Sequence, residues 1–461
     1  MSDTSKSPRP ETIVAIATPP GEGAVGIVRL SGPSANTMAK EMFSGGGELV
    51  PYRLTLGHLR HPETGRAIDE VMTVFMPGPK SYTGEDTIEF HAHGGRVVLA
   101  RILEAAVAGG ARPAAPGEFT RRAFLNGRLD LSQAEAVIDL IRSRSAAAQE
   151  AALEQLRGGL SRAVGELRDS LGDAAAELEA SIEFGEEEGL ERMSSGERLG
   201  QAAEGIRTLL EGERGTRILQ RGLEVVLTGR TNVGKSSIIN MLDNSSRSIV
   251  TPSPGTTRDT IDIPLVLEGI SLLLVDTAGF GSPKDEAEEE GIRRSMEKLS
   301  AGDANLVVLD SSEPLHESDH RLLRETADRP SLVILNKRDL EGRTSVDEVR
   351  SLSGKRTVVE MSAKTGEGLE ELRRALAGCL RELASEEGGE SSILINARHA
   401  DALRRALAAL ERARENGALG GPLDMLAADL REALAALGEI TGQTVTDDVL
   451  DRIFSSFCIG K

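Results

Sequence analysis

Residues 229–236 of the chain, GRTNVGKS, match the spacing G-x-x-x-x-G-K-[ST] and directly follow the apolar run LEVVLT at 223–228. Glycines in such a loop let backbone N–H groups wrap around phosphates, and a helix that begins right after the loop points its positive N-terminal end at them. Lys235 supplies a positive charge for the β- and γ-phosphates, and the hydroxyl of Ser236 is placed for Mg²⁺. The segment predicts a phosphate-binding loop between a strand and a helix of an α/β fold.

Further apolar runs continue this α/β pattern. The runs LLLVD (272–276), LVVLD (306–310), SLVILN (331–336) and TVVEMS (357–362) have the continuous hydrophobicity of strands that are covered on both faces. Segments of helical pattern alternate with them, and the loop-like stretch ASEEGGESS at 384–392 ends the module.

Short motifs at the ends of these strands indicate that the nucleotide is GTP. In PSPGTTRDT, Thr256 and Thr257 offer a second hydroxyl for Mg²⁺, and the last residue of DTAG (276–279) leaves its N–H free to approach the γ-phosphate. The carboxylate of NKRD (336–339) can accept two hydrogen bonds from guanine, whereas adenine lacks that pair of donors. The loop on the base side is completed by Ser362, Ala363 and Lys364.

The residues that hydrolyse the nucleotide do not follow the Ras-like pattern. Phe280 follows DTAG, where Ras-like proteins have the glutamine that orients the attacking water. Arg258 is a candidate arginine finger, and a carboxylate in DEAEEE (285–290) could orient water instead. That acidic run is equally typical of a solvated charged surface.

The chain on either side of the α/β module has two other textures. Up to about residue 125, short β-rich runs such as TIVAIAT (12–18) alternate with glycine and proline, which predicts a small α+β domain. Leucines recur every three or four residues over 153–171 and again over 423–437, and Ser132-x-x-Glu135 resembles a capping box. Neither helical stretch can bury its apolar face alone, so we predict one helical domain into which the α/β module is inserted.

Composition excludes several classes of protein. With 54 Lys and Arg against 73 Asp and Glu, the net charge of −19 argues against a surface that is basic throughout and coats nucleic acid. Two cysteines fit a reducing compartment. We expect no signal peptide, because MSDTSKSPRPETIV lacks the charged-then-apolar order of one, and no membrane span, because no apolar run is long enough for a bilayer. We therefore expect a cytoplasmic protein that is not embedded in a membrane. Local RNA contacts stay open at two clusters that are also typical of solvated helix faces: Arg121, Arg122 and Arg128, and Arg404 and Arg405.

Motifs from every part of the chain together closely resemble the TrmE (MnmE) family of tRNA-modifying P-loop GTPases. They are TIVAIATPPGEGAVGIVRLSG, PKSYTGEDTIEFHAHGG (79–95), PGEFTRRAFLNGRLDLSQAEAV (116–137), GRTNVGKSS, SPGTTRD and the terminal FCIGK. The resemblance implies a multidomain α+β and α/β protein. Its parts would be a tetrahydrofolate-binding and dimerisation domain (1–125), a discontinuous all-α domain (126–221 and 385–461) and an inserted Ras-like G domain (222–384).

The resemblance also implies a function. Members of this family act as homodimers that form a heterotetramer with the FAD-dependent protein MnmG (GidA). Together they add a carboxymethylaminomethyl or aminomethyl group to C5 of the wobble uridine of certain tRNAs. GTP, Mg²⁺, K⁺ and a 5-formyl- or methylene-tetrahydrofolate are the implied cofactors.

In this family potassium occupies the position of an arginine finger, and the G domains pair across it. The family's catalytic glutamate lies in E-x-x-G-I, which matches Glu288 here, with Glu286 or Glu289 as alternatives. Thr231 stands where the family has proline, and TPSPGTT replaces the commoner TDIAGTT. The implied K⁺ ligands are Asn232, Thr251, Ser253 and Thr256, and the implied Mg²⁺ ligands are Ser236 and Thr257. The full set predicted to bind GTP is Asn232, Val233, Gly234, Lys235, Ser236, Ser237, Thr251, Pro252, Ser253, Pro254, Gly255, Thr256, Thr257, Asp276, Thr277, Ala278, Gly279, Asn336, Lys337, Asp339, Ser362, Ala363 and Lys364.

The resemblance assigns a second site to folate. The implied folate-binding residues are Arg29, Glu89, Arg128 and Lys461, with Arg128 where the family has lysine. A carboxylate such as Glu89 suits the amino-pyrimidine edge of a pterin. His91 and His93 have the spacing of a metal pair but no third ligand in register, which favours strand packing over zinc.

The two cysteines receive opposite interpretations. The place of Cys458 in FCIGK implies a catalytic thiolate that adds to the uracil ring and makes C5 nucleophilic. Cys379 lies in the helical run ALAGCL and is predicted to belong to the core.

Two other functions stay open at this point. The chain could be a regulatory GTPase of ribosome assembly, although such a switch needs neither a folate-type domain nor a terminal cysteine. It could also be a folate enzyme that acts on a small molecule, with the G domain only regulatory.

Overall fold

The structure is a computed structural model that describes residues 11–45, 47–184, 188–245, 262–277, 293, 296–387 and 393–461. The chain divides into two compact units. The first consists of Met1–Ile138, Gln155–Leu199 and Ala408–Lys461, and the second of Asp139–Glu154 and Gly200–Leu407. The finer division of the sequence at residues 125, 221 and 384 stays a prediction.

A mostly antiparallel sheet organises the first unit. Its strands are β1 (Ile13–Ile16), β2 (Gly23–Ser31), β3 (Phe43–Ser44), β4 (Thr55–Arg60), β5 (Ala67–Met76), β6 (Thr87–Gly94) and β7 (Arg112–Pro113). In the described part of the chain their order is β3-β4-β5-β6-β2-β1-β7, and only β1 and β7 run parallel.

Alternation along the strands gives this sheet two different faces. Helices α1 (Ala35–Met42) and α2 (Arg96–Ala108) cover one face, where Val28, Leu30 and Phe90 are fully buried. On the opposite face, Arg29 of β2 lies directly across from Glu89 of β6. A charged pair therefore stands on the face that these two helices leave open.

The remaining helices of the chain's first half follow the sheet. They are α3 (Glu118–Leu125), α4 (Leu131–Arg142), α5 (Ala146–Leu156), α6 (Gly159–Phe184) and α7 (Glu188–Arg221). The predicted capping box is wrong by two residues. Asp130 caps α4: its Oδ1 accepts from the Gln133 N–H at 3.0 Å, and the Gln133 amide oxygen accepts from the Asp130 N–H at 2.9 Å. Ser132 instead lies inside the helix and donates to Asp130 Oδ1.

The leucine pattern over 153–171 belongs to two helices rather than one. Gly158, with a positive φ of 88°, separates α5 from α6, so the spacing of three and four runs across a turn. On α6, Val164 and Leu171 are fully buried. The predicted pairing of the two helical stretches is present inside the first unit, because α6 packs against the helix that follows Pro422.

A mainly parallel sheet with helices on both faces organises the second unit. Its elements are β8 (Leu223–Thr228), α8 (Lys235–Ser245), β9 (Asp262–Leu267), β10 (Ile270–Asp276), β11 (Ala304–Asp310), α9 (Glu317–Glu325), β12 (Ser331–Asn336), α10 (Val346–Ser353), β13 (Val358–Glu360) and α11 (Leu369–Glu387). Across the described residues the strand order is β13-β12-β11-β8-β10-β9, with β9 antiparallel at the edge.

Both faces of this sheet are buried, as the continuous apolar runs predicted. Residues of alternating position, such as Leu227 and Val226, enter two separate cores, one against α8 and α11 and one against α9 and α10. Because β8, β10, β11, β12 and β13 are parallel, their carboxyl ends meet at one edge, and GRTNVGKS, DTAG, NKRD and the Ser362–Lys364 loop each begin at such an end. The last helices are α12 (Ala397–Ala418), α13 (Leu423–Thr441) and α14 (Asp447–Ser455). No helix among the described residues is long and apolar enough to cross a membrane.

Candidate functional site

The loop between β8 and α8 has the close backbone approach that its glycines predict. Gly234 has a φ of +103°, and a Cβ at this position would lie 2.3 Å from Asn336 Nδ2. Val233 is buried, whereas Ser236 and Ser237 are exposed at the start of α8. Asn232 is exposed and adopts a positive φ of 66°. The first turn of α8 therefore presents hydroxyls and N–H groups at the carboxyl edge of the sheet.

Lys235 and Asp276 form the charged centre of this site. Lys235 Nζ donates to the carbonyls of Gly229 at 2.9 Å and Arg230 at 3.0 Å. Burial lowers the pKa of the Lys235 amine, and the charge of Asp276 opposes this shift. Burial likewise raises the pKa of Asp276, against the charge of Lys235. Both charges are held partly out of water, an arrangement that a bound phosphate and metal ion would stabilise.

Asp276 offers an oxygen ligand for a divalent cation. Its Oδ1 is buried and has no hydrogen-bond partner among the described residues. Thr277, the next residue, uses its hydroxyl to donate to the Leu227 carbonyl at 2.9 Å and so fixes the end of β10 to the end of β8. Carboxylate and hydroxyl oxygens are ligands that Mg²⁺ prefers, so Asp276 and the exposed hydroxyl of Ser236 fit that ion.

Asn336 links the base side of the site to the phosphate side. Its Nδ2 donates to the Val233 carbonyl at 2.8 Å, and its Oδ1 accepts from the Ala363 N–H at 2.9 Å. Asp339 Oδ1 accepts from the Ser362 hydroxyl at 2.7 Å, while Lys364 Nζ lies 4.0 Å from Asp339 Oδ2. The Asp339 carboxylate is thereby oriented, and its second oxygen is left for a base.

Sequence reasoning missed one member of this site. Asp310, the last residue of β11, pairs with Lys337 through a 2.5 Å contact between Oδ2 and Nζ. Burial raises the pKa of Asp310, but hydrogen bonds from Lys337 and Ser312 outweigh it and hold that pKa below its usual value. The signal was the aspartate that ends the apolar run LVVLD. The pair holds Lys337, whose φ is +66°, across the base-side loop.

Several predicted residues lie outside the described part of the chain. They are Thr251, Pro252, Ser253, Pro254, Gly255, Thr256, Thr257, Arg258, Ala278, Gly279, Phe280, Glu286, Glu288 and Glu289.

A second polar site lies in the first unit. Arg29 Nε donates to Glu89 Oε1 at 2.8 Å, and both side chains are about 15% exposed. Glu89 Oε2 lies 3.1 Å from His91 Nε2. The Arg29 guanidinium also stacks over Tyr82 and Phe119, with 5.7 and 5.6 Å to the ring centroids. Arg29 is thereby held rigidly by one carboxylate and two rings.

The C-terminal tail contributes to the same site. Arg29 Nη1 donates to the Gly460 carbonyl at 3.3 Å, and a Cβ on Gly460 would lie 2.4 Å from the Ile16 carbonyl oxygen. Burial lowers the pKa of the Lys461 amine, the charge of Arg29 lowers it further, and Glu89 and Cys458 act in the opposite direction. Cys458 is exposed. The tail therefore brings Lys461 and a free thiol to the Arg29–Glu89 pair.

Arg128 contacts this region indirectly. Its Nε donates to the Ser81 carbonyl at 2.9 Å, one residue before Tyr82. His93 pairs with Asp69 at 2.8 Å rather than with His91. Within the described parts of the chain, no group of three His, Cys, Asp or Glu side chains could hold a metal ion. Cys379 packs half-buried against the core of the second sheet, as predicted.

Comparisons with known proteins agree over nearly the whole chain. A family model described as MnmE helical domain matches residues 131–458, and one described as GTP-binding protein TrmE N-terminus matches residues 12–128. Three curated proteins named tRNA modification GTPase MnmE are similar. That of Heliobacterium modesticaldum is 46% identical and covers 98% of this chain and 99% of its own length. That of Chloroflexus aurantiacus is 44% identical over 98% and 100%, and that of Geobacillus thermodenitrificans is 42% identical over 98% and 99%.

Proposed function

The chain belongs to the MnmE (TrmE) family of tRNA modification GTPases, and from this premise we propose that it is a potassium-activated GTPase that modifies the wobble uridine of certain tRNAs. With an FAD-dependent partner of the MnmG (GidA) type, it adds a carboxymethylaminomethyl or aminomethyl group to C5. The observation that carries the proposal is the Arg29–Glu89 pair beneath a C-terminal tail with an exposed thiol. A GTPase that acts only as a switch needs no such site.

The nucleotide half of the proposal uses residues at the carboxyl edge of the second sheet. Lys235 binds the β- and γ-phosphates, and Asp339 accepts the two guanine hydrogen bonds with its two carboxylate oxygens, while the Ser362 hydroxyl bonded to Oδ1 fixes their orientation. Ser236 and Thr257 hold Mg²⁺, which when bound neutralises phosphate charge. The unpartnered Oδ1 of Asp276 supports a cation at this place.

Potassium activation rests on Asn232 and on three residues outside the described ranges. No described group forms a hydrogen bond with the Asn232 side chain, so its carbonyl oxygen is available to a cation. Thr251, Ser253 and Thr256 complete the proposed K⁺ ligands. K⁺ supplies the positive charge that an arginine finger supplies elsewhere. Glu288 orients the attacking water, and Arg258 assists near the phosphates.

Folate binding is proposed at the Arg29–Glu89 pair. Glu89 accepts paired hydrogen bonds from the amino-pyrimidine edge of a tetrahydrofolate derivative, and Arg29, already fixed by two rings, holds Glu89 in place. Arg128 and Lys461 bind the rest of the ligand. The pKa of the Lys461 amine is lowered, so this amine gives up its proton more readily than an exposed lysine does. In its neutral form it can accept a hydrogen bond from the ligand. Cys458 adds as a thiolate to the uracil ring and makes C5 nucleophilic.

A homodimer is proposed through the first unit. Leu56 of β4 is 60% exposed and lies directly across from Met72 of β5, which is 44% exposed; Met72 in turn lies across from His91 of β6. An apolar row on an open sheet face is typical of an interface. The row continues toward Glu89, so dimerisation through it brings two folate sites near one interface. The division into three domains, with the helical domain in two parts, the heterotetramer with the partner and a cytoplasmic location complete the proposal.

Reconstitution tests the proposed function. The purified chain is combined with an MnmG-type protein, tRNA, GTP, KCl and a tetrahydrofolate one-carbon donor, and the tRNA nucleosides are analysed by mass spectrometry. We expect a modified wobble uridine that requires both proteins, GTP and the folate donor. The same uridine content with and without the chain would overturn the proposal.

A further inference from the structure

The edge of the second sheet opposite the nucleotide site contains an open cavity of about 780 Å³, which we name the basal groove. It lies where β12 and β13 begin, and its walls include Arg329, Lys355, Arg356 and Arg374. A second cavity of about 500 Å³ shares Arg329 with it and extends it along the same edge. The basal groove is thus separate from the GTP site, and with the second cavity it forms an extended surface along the sheet edge.

Positive charge dominates the basal groove. Four cations line it against a single carboxylate, Glu382, in a chain whose net charge is −19. Among the described residues no carboxylate lies within ion-pair distance of any of the four. Their donors go instead to neutral oxygens: Arg329 Nη1 to the Leu299 carbonyl at 3.3 Å, Arg356 Nη1 to the Thr326 hydroxyl at 2.9 Å, and Arg374 Nε to the Glu370 carbonyl at 3.3 Å.

Arg356 shows that these charges are held in place at a cost. Its Nε also donates to the Ser353 carbonyl at 2.8 Å, which fixes the guanidinium in the groove wall. Burial lowers the pKa of Arg356, because the charge loses water without gaining a carboxylate. Nη2 donates to the Leu352 carbonyl at 3.4 Å, so two of the five N–H groups of Arg356 remain for a planar anion such as a phosphate.

Other arginine clusters of the chain differ in this respect. Arg121 pairs with Asp451 at 3.1 Å, and Arg122 with Glu85 and Glu118 at 3.0 Å each. Arg404 pairs with Glu213, and Arg405 with Asp401. These four arginines belong to the two clusters that the sequence offered for RNA contacts, and each of them is neutralised by a nearby carboxylate. The basal groove keeps its charge uncompensated.

Between Arg374 and Glu382, the groove wall formed by α11 is made of small residues. Ala375, Gly378 and Cys379 line it, and a Cβ on Gly378 would meet no atom within 4 Å. Leu352 is the one large apolar side chain of the lining that is exposed. A charged, open and weakly apolar surface is typical of nucleic-acid binding rather than of protein interfaces.

We propose that the basal groove binds the phosphate backbone of the tRNA substrate, with Arg329, Lys355, Arg356 and Arg374 as the phosphate contacts. The inference rests on the proposed function, since it takes tRNA as the substrate. Phosphate contacts at this edge hold the RNA by its backbone and leave the bases to be recognised elsewhere.

A charge series at Gly378 tests the proposal in the full-length chain. The variants place side chains of similar size into open space on a helix: Gly378→Glu, Gly378→Gln and Gly378→Lys. Replacing a glycine inside a helix by any of these residues favours the helical conformation, so the variants should fold. Binding of fluorescent tRNA is measured by anisotropy over a series of KCl concentrations. We expect affinity in the order Lys, Gln, Glu, with Glu about fivefold weaker than Gln and a salt slope shallower by about one contact.

Matched variants separate charge in the groove from charge elsewhere. Gly165→Glu, at another helical glycine with open space, is expected to bind tRNA like the wild type, and Lys355→Ala with Arg374→Ala is expected to lower the salt slope by about two contacts. Equal tRNA affinity across the Gly378 series would overturn the groove assignment. If the Gly378 variants bound the MnmG-type partner more weakly but tRNA with unchanged affinity, the groove would be a protein interface and the assignment would also be overturned. A wild type that modifies no tRNA would instead defeat the proposed function.

Discussion

Asn336 Nδ2 donates a hydrogen bond of 2.8 Å to the Val233 carbonyl, and this bond joins the base-side loop to the phosphate-binding loop. Both partners are buried, so losing the donor leaves a carbonyl without water or a replacement. Such a loss costs about 1–3 kcal/mol. The base-side loop and the phosphate-binding loop are therefore coupled through the side-chain amide of Asn336.

Asn336→Ala is expected to weaken GTP binding about tenfold, the equivalent of about 1.4 kcal/mol. Asn305→Ala is the matched control, because Asn305 is equally buried and neither of its side-chain polar atoms has a partner among the described residues. Affinities for a fluorescent GTP analogue measure both. Equal affinities of the two variants would show that the Asn336–Val233 bond does not support the site.

Asp339→Asn is expected to exchange the base preference. The aspartate can accept from both donors of guanine, whereas an asparagine N–H₂ would oppose the guanine amino group and suit the carbonyl of xanthine. We expect GTP affinity to fall at least about 100-fold and XTP to become the better ligand. Asp347→Asn, at an exposed carboxylate of α10, is the control. Unchanged preference for GTP over XTP would remove Asp339 from the base site.

Asp276 makes the ligand-free protein sensitive to pH. Its folded-state pKa is raised above the unfolded value, so its contribution to stability is fully present below the unfolded pKa and is lost as pH rises through the folded pKa. Asp276→Asn imitates the protonated form. We expect its unfolding midpoint without nucleotide to exceed that of the wild type at neutral pH. The difference should vanish near pH 3, below the ordinary aspartate pKa of 3.8. A difference that persists or grows on acidification would contradict this cause.

Gly460→Ala is expected to displace the C-terminal tail. A Cβ there lies 2.4 Å from the Ile16 carbonyl oxygen, and the φ of +97° costs about 1–2 kcal/mol for a residue other than glycine. Gly110→Ala is the matched control, since its φ is +104° and its Cβ meets nothing within 4 Å. Folate affinity, measured by calorimetry, should fall about fivefold or more in the first variant only. Equal folate affinity in both would place the tail outside the folate site.

Sequence patterns predicted single strands and loops better than the contacts between distant residues. The strand at 331–336 was predicted with its observed bounds, because continuous apolar runs are the direct consequence of burial on both faces. The antiparallel strand β9 at the sheet edge was not predicted, because an edge strand does not need a continuous apolar run. The break at Gly158 escaped because leucine spacing records which face is apolar and not whether the backbone turns.

Long-range pairs could not be predicted from one sequence. Arg29 and Glu89 were each singled out, but their position across from one another depends on the register between two strands about 60 residues apart. The Lys337–Asp310 pair depends in the same way on neighbouring strands that end at one edge. Motifs and the family resemblance therefore predicted which residues belong to the candidate sites, and the topology supplied the contacts between them.

GTP turnover tests the central claim most directly. It is measured for the full-length chain in KCl and in NaCl of equal ionic strength, for the wild type and for Glu288→Ala. The account predicts rapid turnover by the wild type in KCl, slow turnover in NaCl and slow turnover by Glu288→Ala in both salts. Arginine fingers are worth about 10³–10⁵ in rate, and the potassium effect should reach a substantial part of that range. Turnover that is equal in both salts and unaffected by the substitution would contradict the account.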